Sequence, residues 1–361
     1  ARRSTLADRA DDSASDRCVG VHGMKFRVVI ACLAFIFFAA AGFFVWQTIR
    51  WIHTPIETLT NAAIYEVPQG ATLNTVLFDL QKHNLIDHPR RLSIALRALR
   101  SGYKLKAGEY ELQARMTPLD VVDLLSSGRV VLHKLTVPEG VTFAELQRLR
   151  AANDAIRISS PPLNAATLLK RLGAKQNHPE GLFFPDTYNF PKGTPDTGIY
   201  TLAYQRMQSE LERAWNERDA NLPLKTPYEV LTLASIVEKE TALGSERPII
   251  AGVFIERLRK GMRLETDPTV IYGLGDAYDG HIHTADLHRD TPYNTRLHVG
   301  LTPTPICLPG LDSVRAVVHP NITGALFFVA TGNSDGSHHF SKTLEEHNAA
   351  VQRYLKTLRK S

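Results

Sequence analysis

Cysteine is scarce in this chain of 361 residues, which contains only three of them. Cys18 and Cys32 lie near the amino terminus, and only Cys307 lies in the much longer remainder. That remainder therefore cannot hold an intramolecular disulfide framework. Its stability must come from buried apolar side chains, and with 43% hydrophobic residues the chain is long enough for two or three domains, each with its own core.

The chain also lacks a concentrated basic surface and several common site motifs. Its net charge is +5, but 42 basic residues are scattered among 37 acidic ones, so we expect no nucleic-acid partner. No phosphate-cradling loop is present, and Ser235 lies outside a G-x-S-x-G context. The histidines lack the carboxylate or cysteine spacing of a metal site, so we expect no metal and no cofactor. They include His281, His283, His288, His338 and His339.

One long hydrophobic run stands out. Residues 28–46 read VVIACLAFIFFAAAGFFVW, without a charged or strongly polar side chain. A helix of this length crosses roughly 30 Å of hydrocarbon, whereas a buried helix of a soluble domain normally carries polar residues at every third or fourth position. A cleaved signal peptide would have a shorter apolar region followed by small residues, but Trp46, Arg50 and Trp51 stand here instead. We therefore predict an uncleaved transmembrane helix at 28–49.

Basic residues before this run predict its orientation. Positive charges beside a span favour the cytoplasmic side. Residues 1–27 are thus a predicted cytoplasmic tail, and the bulk of the chain is expected outside the cytoplasm. Met24 opens MKFRVVI and is a natural start for such an anchor, and the sequence leaves the choice of start open. The basic residues are Arg2, Arg3, Arg9, Arg17, Lys25 and Arg27.

After a predicted linker at 50–63, two strand-turn-helix patterns occur in tandem. The first, IYEVPQGATLNTVLFDLQ, contains a Pro-x-Gly turn and a helix capped by Thr72. The second, KLTVPEGVTFAELQRL, repeats the pattern, with Thr142 and Glu145 spaced as a capping box. The repeat predicts two similar local units.

The segment between the two patterns completes a small module. Residues 105–112 read as a strand with a turn at Gly108, and residues 116–128 as a helix with a threonine cap and proline at its first position. No paired carboxylates, thiol or metal-ligand cluster occurs here. We therefore predict a binding or spacer module at 64–134.

The following segment is harder to assign. Residues 156–177 look irregular and partly helical, and PEGLFFPDTYNFP at 179–191 is predicted not to form regular structure. Polar motifs become denser beyond it. A catalytic domain is therefore predicted at 135–361, with its core at about 180–361.

A helix with a clear start carries two candidate catalytic carboxylates. Thr226 is its predicted cap, a proline and a glutamate follow in its first turn, and Gly244 is its predicted stop. On a helical wheel Lys239 points away from the apolar face, while Glu238 and Glu240 flank that face on opposite sides. The pattern does not choose between the two glutamates.

The loops that follow favour a hydroxyl-rich ligand. A second helix is predicted to begin near Ser245, so Glu240 lies at a helix-helix corner. Beyond it, polar side chains stand among prolines and glycines, where each can offer a positioned donor or acceptor. The candidate binding residues are Asp267, Thr269, Tyr272, Asn294 and Thr295.

Several segments together resemble a known family. They are EGLFFPDTY at 180–188, ASIVEKET at 234–241, SER at 245–247, TDPTVIYG at 266–273, PYNT at 292–295, and HP at 319–320 followed by LFFVATG. The sequence is similar to the YceG-like endolytic murein transglycosylases, also called the MltG family, over nearly its whole length. The resemblance implies an α+β fold with a transmembrane helix, a small LysM-like α/β module at 64–134 and a YceG-like catalytic domain.

The resemblance also implies roles for the two glutamates. It makes Glu240 the catalytic residue, acting as acid and then as base, and Glu238 a supporting residue. Three departures from the family pattern bear on sugar contacts and are not expected to touch Glu240: Glu265 in place of Gln, Arg296 in place of Tyr, and GLTPTPICLPG in place of GLPPGPI.

The implied activity is cleavage of the MurNAc-β-1,4-GlcNAc bond within nascent glycan strands, which leaves a 1,6-anhydroMurNAc end. The expected setting is the inner membrane, with the catalytic domain in the periplasm and peptidoglycan synthases as partners. Two alternatives stay open. One is a non-catalytic wall-binding scaffold that recruits synthases. The other is a water-using glycosidase, which needs a second carboxylate such as Glu238 or Asp267.

Overall fold

A computed structural model describes residues 12–99 and 103–358, with side chains for 27–99 and 103–357. It has a mixed α+β architecture, as predicted, and divides between Val131 and Leu132 into two compact units. Each unit has its own cluster of buried apolar side chains. The first eleven positions of the predicted cytoplasmic tail lie outside the described residues.

The first unit begins with a long helix, α1 (Asp12–Ile52). Its segment Arg27–Ile52 is long and apolar enough to cross a membrane, and the most apolar stretch of this segment has a mean hydropathy of 2.8. None of the most apolar stretch is buried within the protein. The helix therefore contains the predicted span at 28–49 and continues beyond both of its ends.

The rest of the first unit follows a strand-helix-helix-strand-helix order. Its elements are β1 (Ala63–Val67), α2 (Leu73–Lys82), α3 (Pro89–Leu99), β2 (Gly108–Leu112) and α4 (Pro118–Ser127). The two strands pair antiparallel with Tyr65 opposite Tyr110. Thr72 caps α2 and Thr117 forms a capping box with Asp120, because each hydroxyl accepts a backbone N–H of the first turn. Both predicted caps are confirmed.

The predicted strand at 105–112 is shorter than expected. It begins at Gly108, whose φ of 140° is a conformation that side-chain-bearing residues rarely adopt. A Cβ at this position would lie 2.6 Å from Val130. The glycine therefore starts the strand and does not turn within it.

The second unit surrounds four central helices with short two-stranded sheets. Its elements up to the third of those helices are β3 (Leu132–Thr136), α5 (Phe143–Ala151), β4 (Ile156–Arg157), α6 (Ala165–Leu172), β5 (Thr187–Pro191), β6 (Thr194–Pro195), α7 (Asp196–Glu217), α8 (Pro227–Glu240) and α9 (Arg247–Arg259). The remaining elements are α10 (Asp267–Leu274), α11 (Thr284–Leu287), α12 (Leu311–Val318), β7 (Phe327–Ala330), β8 (His338–Ser341) and α13 (Leu344–Leu358). Helices α7, α8, α9 and α12 pack together around the main core.

The prediction that PEGLFFPDTYNFP lacks regular structure is wrong for its second half. Residues Thr187–Pro191 form β5, which pairs antiparallel with β3 (Leu132–Thr136). Tyr188 and Phe190 point into the core while their neighbours are exposed, which is the alternation of a half-buried strand. The prolines on both sides hide this alternation in the sequence. The pairing also places residues from Leu132 onward in the same unit as the predicted catalytic core.

Candidate active site

Helix α8 ends at the residue that the resemblance marks as catalytic. Thr226 caps its start by accepting the N–H of Glu229 at 3.2 Å, and residues 230–237 are all buried. The predicted end at Gly244 is wrong, because Thr241 adopts an extended conformation with φ −143° and ψ 137°. Its hydroxyl instead accepts the N–H of Leu243 at 3.0 Å. Glu240 is therefore the last residue of α8, where the chain turns toward α9.

Glu238 is held by neighbouring donors. Its Oε1 lies 2.9 Å from Nη2 of Arg247, and its Oε2 accepts the N–H of Gly310 at 2.9 Å. Its side chain is only 5% exposed. Arg247 also reaches Glu139 at 3.6 Å. This ion pair ties the end of α8 to the starts of α9 and α12, so Glu238 has a structural role here.

Glu240 lies in a different environment. It is partly exposed, and it forms no ion pair with any residue that the structure describes. Burial of the carboxyl raises the pKa of Glu240 to about 7, and the negative charge of Asp267 also raises this pKa. The hydroxyl of Thr266 and the positive charges of His338 and Arg296 have the opposite effect. A carboxyl with this pKa is substantially protonated at neutral pH, as a general acid requires.

Buried hydroxyls fix the segment that faces Glu240. Thr295 Oγ1 accepts the N–H of Thr266 at 3.1 Å and lies 2.8 Å from Thr269 Oγ1. Thr269 in turn donates to the carbonyl of Thr266 at 2.7 Å. The hydroxyl of Thr266 is buried and forms no regular hydrogen bond with other parts of the protein. The network therefore positions the start of α10 beside the catalytic candidate and leaves the Thr266 hydroxyl to interact with Glu240.

Asp267 and Arg296 form an ion pair at the same place. Arg296 Nε lies 3.0 Å from Oδ1 of Asp267, and Nη2 lies 2.5 Å from the same oxygen. Both side chains remain partly exposed. The two charges act on Glu240 in opposite directions, because Asp267 raises the pKa of Glu240 and Arg296, a departure from the family pattern, lowers it. No contact between Arg296 and Glu240 is described, so the expectation that the departures leave Glu240 untouched stays a prediction.

A model of the YceG-like family matches residues 65–353, which is most of the chain. The chain belongs to the YceG-like family. It is 31% identical to an endolytic murein transglycosylase of Bacillus subtilis strain 168 over 325 residues, covering 83% of this chain and 87% of that protein. It is 28% identical to an endolytic murein transglycosylase of Streptococcus pneumoniae strain D39, covering 91% of this chain and 65% of the relative.

A solved structure is similar as well. A crystal structure of a YceG-like protein from Listeria monocytogenes shares 31% sequence identity with this chain, and the two superpose with a TM-score of 0.51. The match covers 80% of this chain and 99% of the other. The fold is therefore shared within the family beyond the sequence motifs.

The other predicted site residues of this YceG-like chain lie in two further places. Asn294 is buried and donates to the carbonyls of Leu287 and Arg289 at 3.1 and 2.9 Å, so its amide shapes the loop before Arg296. Tyr272 is partly exposed, and its hydroxyl donates to Glu180 Oε2 at 3.0 Å. Neither side chain has a described contact with Glu240.

Glu180 is a buried carboxylate that sequence reasoning did not single out. Its Oε1 accepts the N–H of Phe143 at 2.8 Å and its Oε2 accepts the hydroxyl of Tyr272. Burial raises the pKa of Glu180 to about 7, partly offset by these hydrogen bonds. Its place in EGLFFPDTY was a weak signal, because both partners are distant in sequence.

A glutamate-histidine pair beside the α8–α9 turn was also missed. Glu246 accepts the backbone N–H of His338 at 2.8 Å, and its second oxygen lies 2.7 Å from Nδ1 of the same residue. Both side chains are largely buried. The pair joins β8 to the turn that follows Glu240.

Among the described residues no group of three or more histidine, cysteine or acidic side chains is arranged to hold a metal.

Ser235 has a structural role. It is fully buried, its Oγ donates to the carbonyl of Thr232 at 2.7 Å, and it accepts the N–H of Ile306 at 2.9 Å. Cys307 donates its thiol to the Ser235 carbonyl at 3.3 Å. These bonds join α8 to the loop before α12.

Proposed function

We propose that this YceG-like chain is a membrane-anchored endolytic murein transglycosylase. It cleaves the β-1,4 bond between N-acetylmuramic acid and N-acetylglucosamine within nascent glycan strands and thereby ends their elongation. The proposal rests on Glu240, a partly exposed carboxyl at the end of α8 that has no ion-pair partner among the described residues and a pKa raised to about 7. The names of its relatives in Bacillus and Streptococcus agree with this chemistry.

One carboxyl is sufficient for this reaction. Protonated Glu240 gives its proton to the glycosidic oxygen as the bond from that oxygen to the anomeric carbon breaks, which releases the other part of the strand with a free 4-hydroxyl on its terminal N-acetylglucosamine. The resulting carboxylate takes the proton of the muramic acid 6-hydroxyl while the 6-oxygen bonds to the anomeric carbon. The product is a 1,6-anhydro end, and Glu240 regains its proton. No water is consumed, so no second carboxylate has to activate one.

The environments of Glu238 and Asp267 argue against a water-using glycosidase. Such an enzyme needs a second free carboxylate near the first. Glu238 is bonded to Arg247 and to the N–H of Gly310, and Asp267 is paired with Arg296. Both carboxylates are already engaged.

The remaining residues near the site have proposed binding or supporting roles. The partly exposed Asp267 and Tyr272 are proposed sugar contacts. Glu238, Thr269, Asn294 and Thr295 support the site through the buried bonds described above. No cofactor is part of the proposed mechanism.

The first unit is proposed to anchor and guide the enzyme. Helix α1 spans the inner membrane with its amino terminus in the cytoplasm and the second unit in the periplasm. The antiparallel strands β1 and β2 with the helices α2 and α3 between them suit a LysM-like module that binds glycan. Synthases that polymerise the same strands are the expected protein partners.

The test is a comparison of Glu240→Gln with Glu212→Gln, a control that removes an exposed carboxylate of α7. Each full-length variant is incubated with uncrosslinked glycan strands, and the products are identified by mass spectrometry. We expect 1,6-anhydro ends from the wild type and the control, and a loss of at least about a hundredfold for Glu240→Gln. Full activity of Glu240→Gln would refute the assignment.

The same spectra separate the alternatives. Reducing ends in place of anhydro ends would indicate hydrolysis by water. No new ends from the wild type, with glycan still bound, would indicate a scaffold without catalysis.

A further inference from the structure

Helix α3 presents a basic and apolar face to solvent. Its sequence, PRRLSIALRAL, contains three arginines and no acidic residue. Arg90, Ile94 and Arg97 are spaced by four and three positions, so they lie on one face, and all three are exposed. Among the residues that the structure describes, neither Arg90 nor Arg97 forms an ion pair. Exposed arginines beside an exposed isoleucine are typical of a helix that lies on a membrane surface.

The start of α3 contacts the end of α1 directly. Arg91 donates from Nε to the hydroxyl of Thr48 at 2.9 Å, and its guanidinium lies 4.9 Å from the ring centre of Phe44. The rings of Trp51 and His88 lie 5.6 Å apart. The first turn of α3 is therefore level with residues 44–51 of α1.

That level is where the apolar run ends. Trp46, Arg50 and Trp51 close the run, and tryptophan is enriched at the depth of lipid headgroups. If α1 spans the membrane as proposed above, the contacts of Arg91 fix α3 at the same depth. The exposed face of α3 then meets lipid headgroups rather than bulk water.

A cleft lies beside this first turn. Its volume is about 520 Å³, and its lining is Phe78, Gln81, Asp87, His88, Pro89, Arg90 and Arg91. Asp87 is the one acidic residue of this lining, so the cleft carries a net positive charge from its two arginines. Phe78 is 40% exposed and adds an apolar wall. A basic cleft with an apolar wall matches a lipid phosphate with its attached glycerol and upper acyl chain.

We propose that Phe78, His88, Arg90, Arg91, Ile94 and Arg97 form a docking surface for the phosphate headgroups of anionic phospholipids. The inference rests on the proposed anchoring by α1 and is independent of the proposed catalysis. Lipids held there fix the orientation of the first unit against the membrane, because they add a second attachment point beside the helix itself.

The experiment uses the full-length protein in nanodiscs that contain equal parts of phosphatidylglycerol and phosphatidylcholine. Native mass spectrometry counts the lipids of each kind that stay bound after the disc is removed. We expect the wild type to retain phosphatidylglycerol preferentially. Arg90→Gln with Arg97→Gln should reduce this retention by about tenfold or more, since each arginine near an anionic surface strengthens binding by about fivefold.

The matched control is Lys106→Gln with Arg129→Gln, which removes two exposed charges near the carboxyl end of α4. This control should retain phosphatidylglycerol like the wild type. Equal retention of the two lipids by the wild type, or an equal loss in the control, would overturn the docking surface alone. Protein that does not enter the discs would overturn the anchoring and the surface together, while the murein cleavage assay would remain unaffected.

Discussion

A buried glutamate can either form a structural ion pair or act as a proton donor. Its neighbours determine which of the two roles it has, because they determine whether the ionised or the neutral carboxyl is more stable. Donors such as Arg247 and the Gly310 N–H stabilise the ionised form of Glu238. Around Glu240 the effect of burial outweighs that of the Thr266 hydroxyl and the nearby positive charges, so the neutral form of Glu240 is favoured and its pKa rises to about 7. Two positions along one helix thus separate the supporting role from the proposed catalytic one.

The activity should fall at alkaline pH, and His338 should influence where it does. Because protonated Glu240 is proposed to start the reaction, kcat/KM should decrease about tenfold per unit above pH 7. The positive charge of His338 lowers the pKa of Glu240. Replacing His338→Gln should therefore move this decrease to higher pH, as measured by release of anhydro ends across a pH series.

His339→Gln is the matched control for this series. The neighbouring histidine is exposed and its ring contacts Arg353 rather than Glu246. Its profile should coincide with that of the wild type. A profile of His338→Gln that also coincides with the wild type would show that the pair with Glu246 only joins β8 to the turn.

Glu180 should make stability depend on pH. An unfolded glutamate ionises near pH 4.5, whereas burial holds the pKa of folded Glu180 at about 7. The folded state therefore keeps a proton that the unfolded state loses, and stability falls as pH rises through this window. Glu180→Gln should lose less stability than the wild type between pH 5 and 8, by on the order of 2 kcal/mol, in denaturant titrations.

Glu212→Gln provides the comparison for that titration, since its carboxylate is exposed. It should show the pH dependence of the wild type. If the stability of Glu180→Gln also depends on pH as that of the wild type does, then the hydrogen bonds from Phe143 and Tyr272 keep Glu180 ionised between pH 5 and 8, and the raised pKa is wrong.

At the scale of single elements, close packing around α9 explains why a glycine stands at position 252. A Cβ on Gly252 would lie 2.2 Å from the carbonyl oxygen of Asn321, which follows α12. Gly252→Ala should therefore separate α9 from this segment and lower the free energy of unfolding by roughly 2 kcal/mol or more. Thermal denaturation followed by circular dichroism measures the change.

Gly198 in α7 is a helical glycine without this constraint. A Cβ there would lie 3.6 Å from Thr194, an ordinary contact. Gly198→Ala should stabilise the protein slightly, because alanine is a better helix former than glycine by about 1 kcal/mol. Equal losses in both variants would mean that the close approach at Gly252 is not what requires glycine.

Local sequence patterns predicted where helices start better than where helices end or which strands pair. The starts of α4 and α8 follow from a threonine cap and a proline, which act within one turn. The end of α8 at Glu240 instead depends on the Thr241 hydroxyl bonding to Leu243 rather than on the glycine three residues later. Strand β5 depends on pairing with β3, about fifty residues earlier, and the local sequence does not predict this pairing.

The candidate active site shows the same difference between what local patterns predict and what long-range contacts determine. The motifs singled out Glu240 and Asp267, which lie on helices that contact each other, but a helical wheel could not show that Arg247 engages Glu238. Glu180 and His338 were missed because their partners, Tyr272 and Glu246, lie 92 residues away in each case. Contacts at that separation are set by the tertiary packing of the whole unit.

At the scale of the whole molecule, the two cores should unfold separately. The buried clusters of the two units have no residue in common. Leu80→Ala removes a fully buried side chain of the first cluster and should lower the stability of that unit by about 2–5 kcal/mol. Calorimetry should show two transitions, of which only one moves.

Leu233→Ala is the reciprocal change, in a fully buried residue of α8. It should move the other transition and leave the first in place. A single transition that shifts in both variants would show that the units fold as one cooperative body.

The environment of Cys307 has a practical consequence for following the enzyme at work. Burial raises the pKa of its thiol well above the usual range, and the thiol is occupied by the Ser235 carbonyl. Maleimide reagents need an accessible thiolate, so they should not label Cys307 in the folded protein. A cysteine introduced at exposed Val299, on the loop that follows Arg296, would then carry a fluorophore without competing labelling from the second unit. Its emission would report changes around this loop when glycan is added.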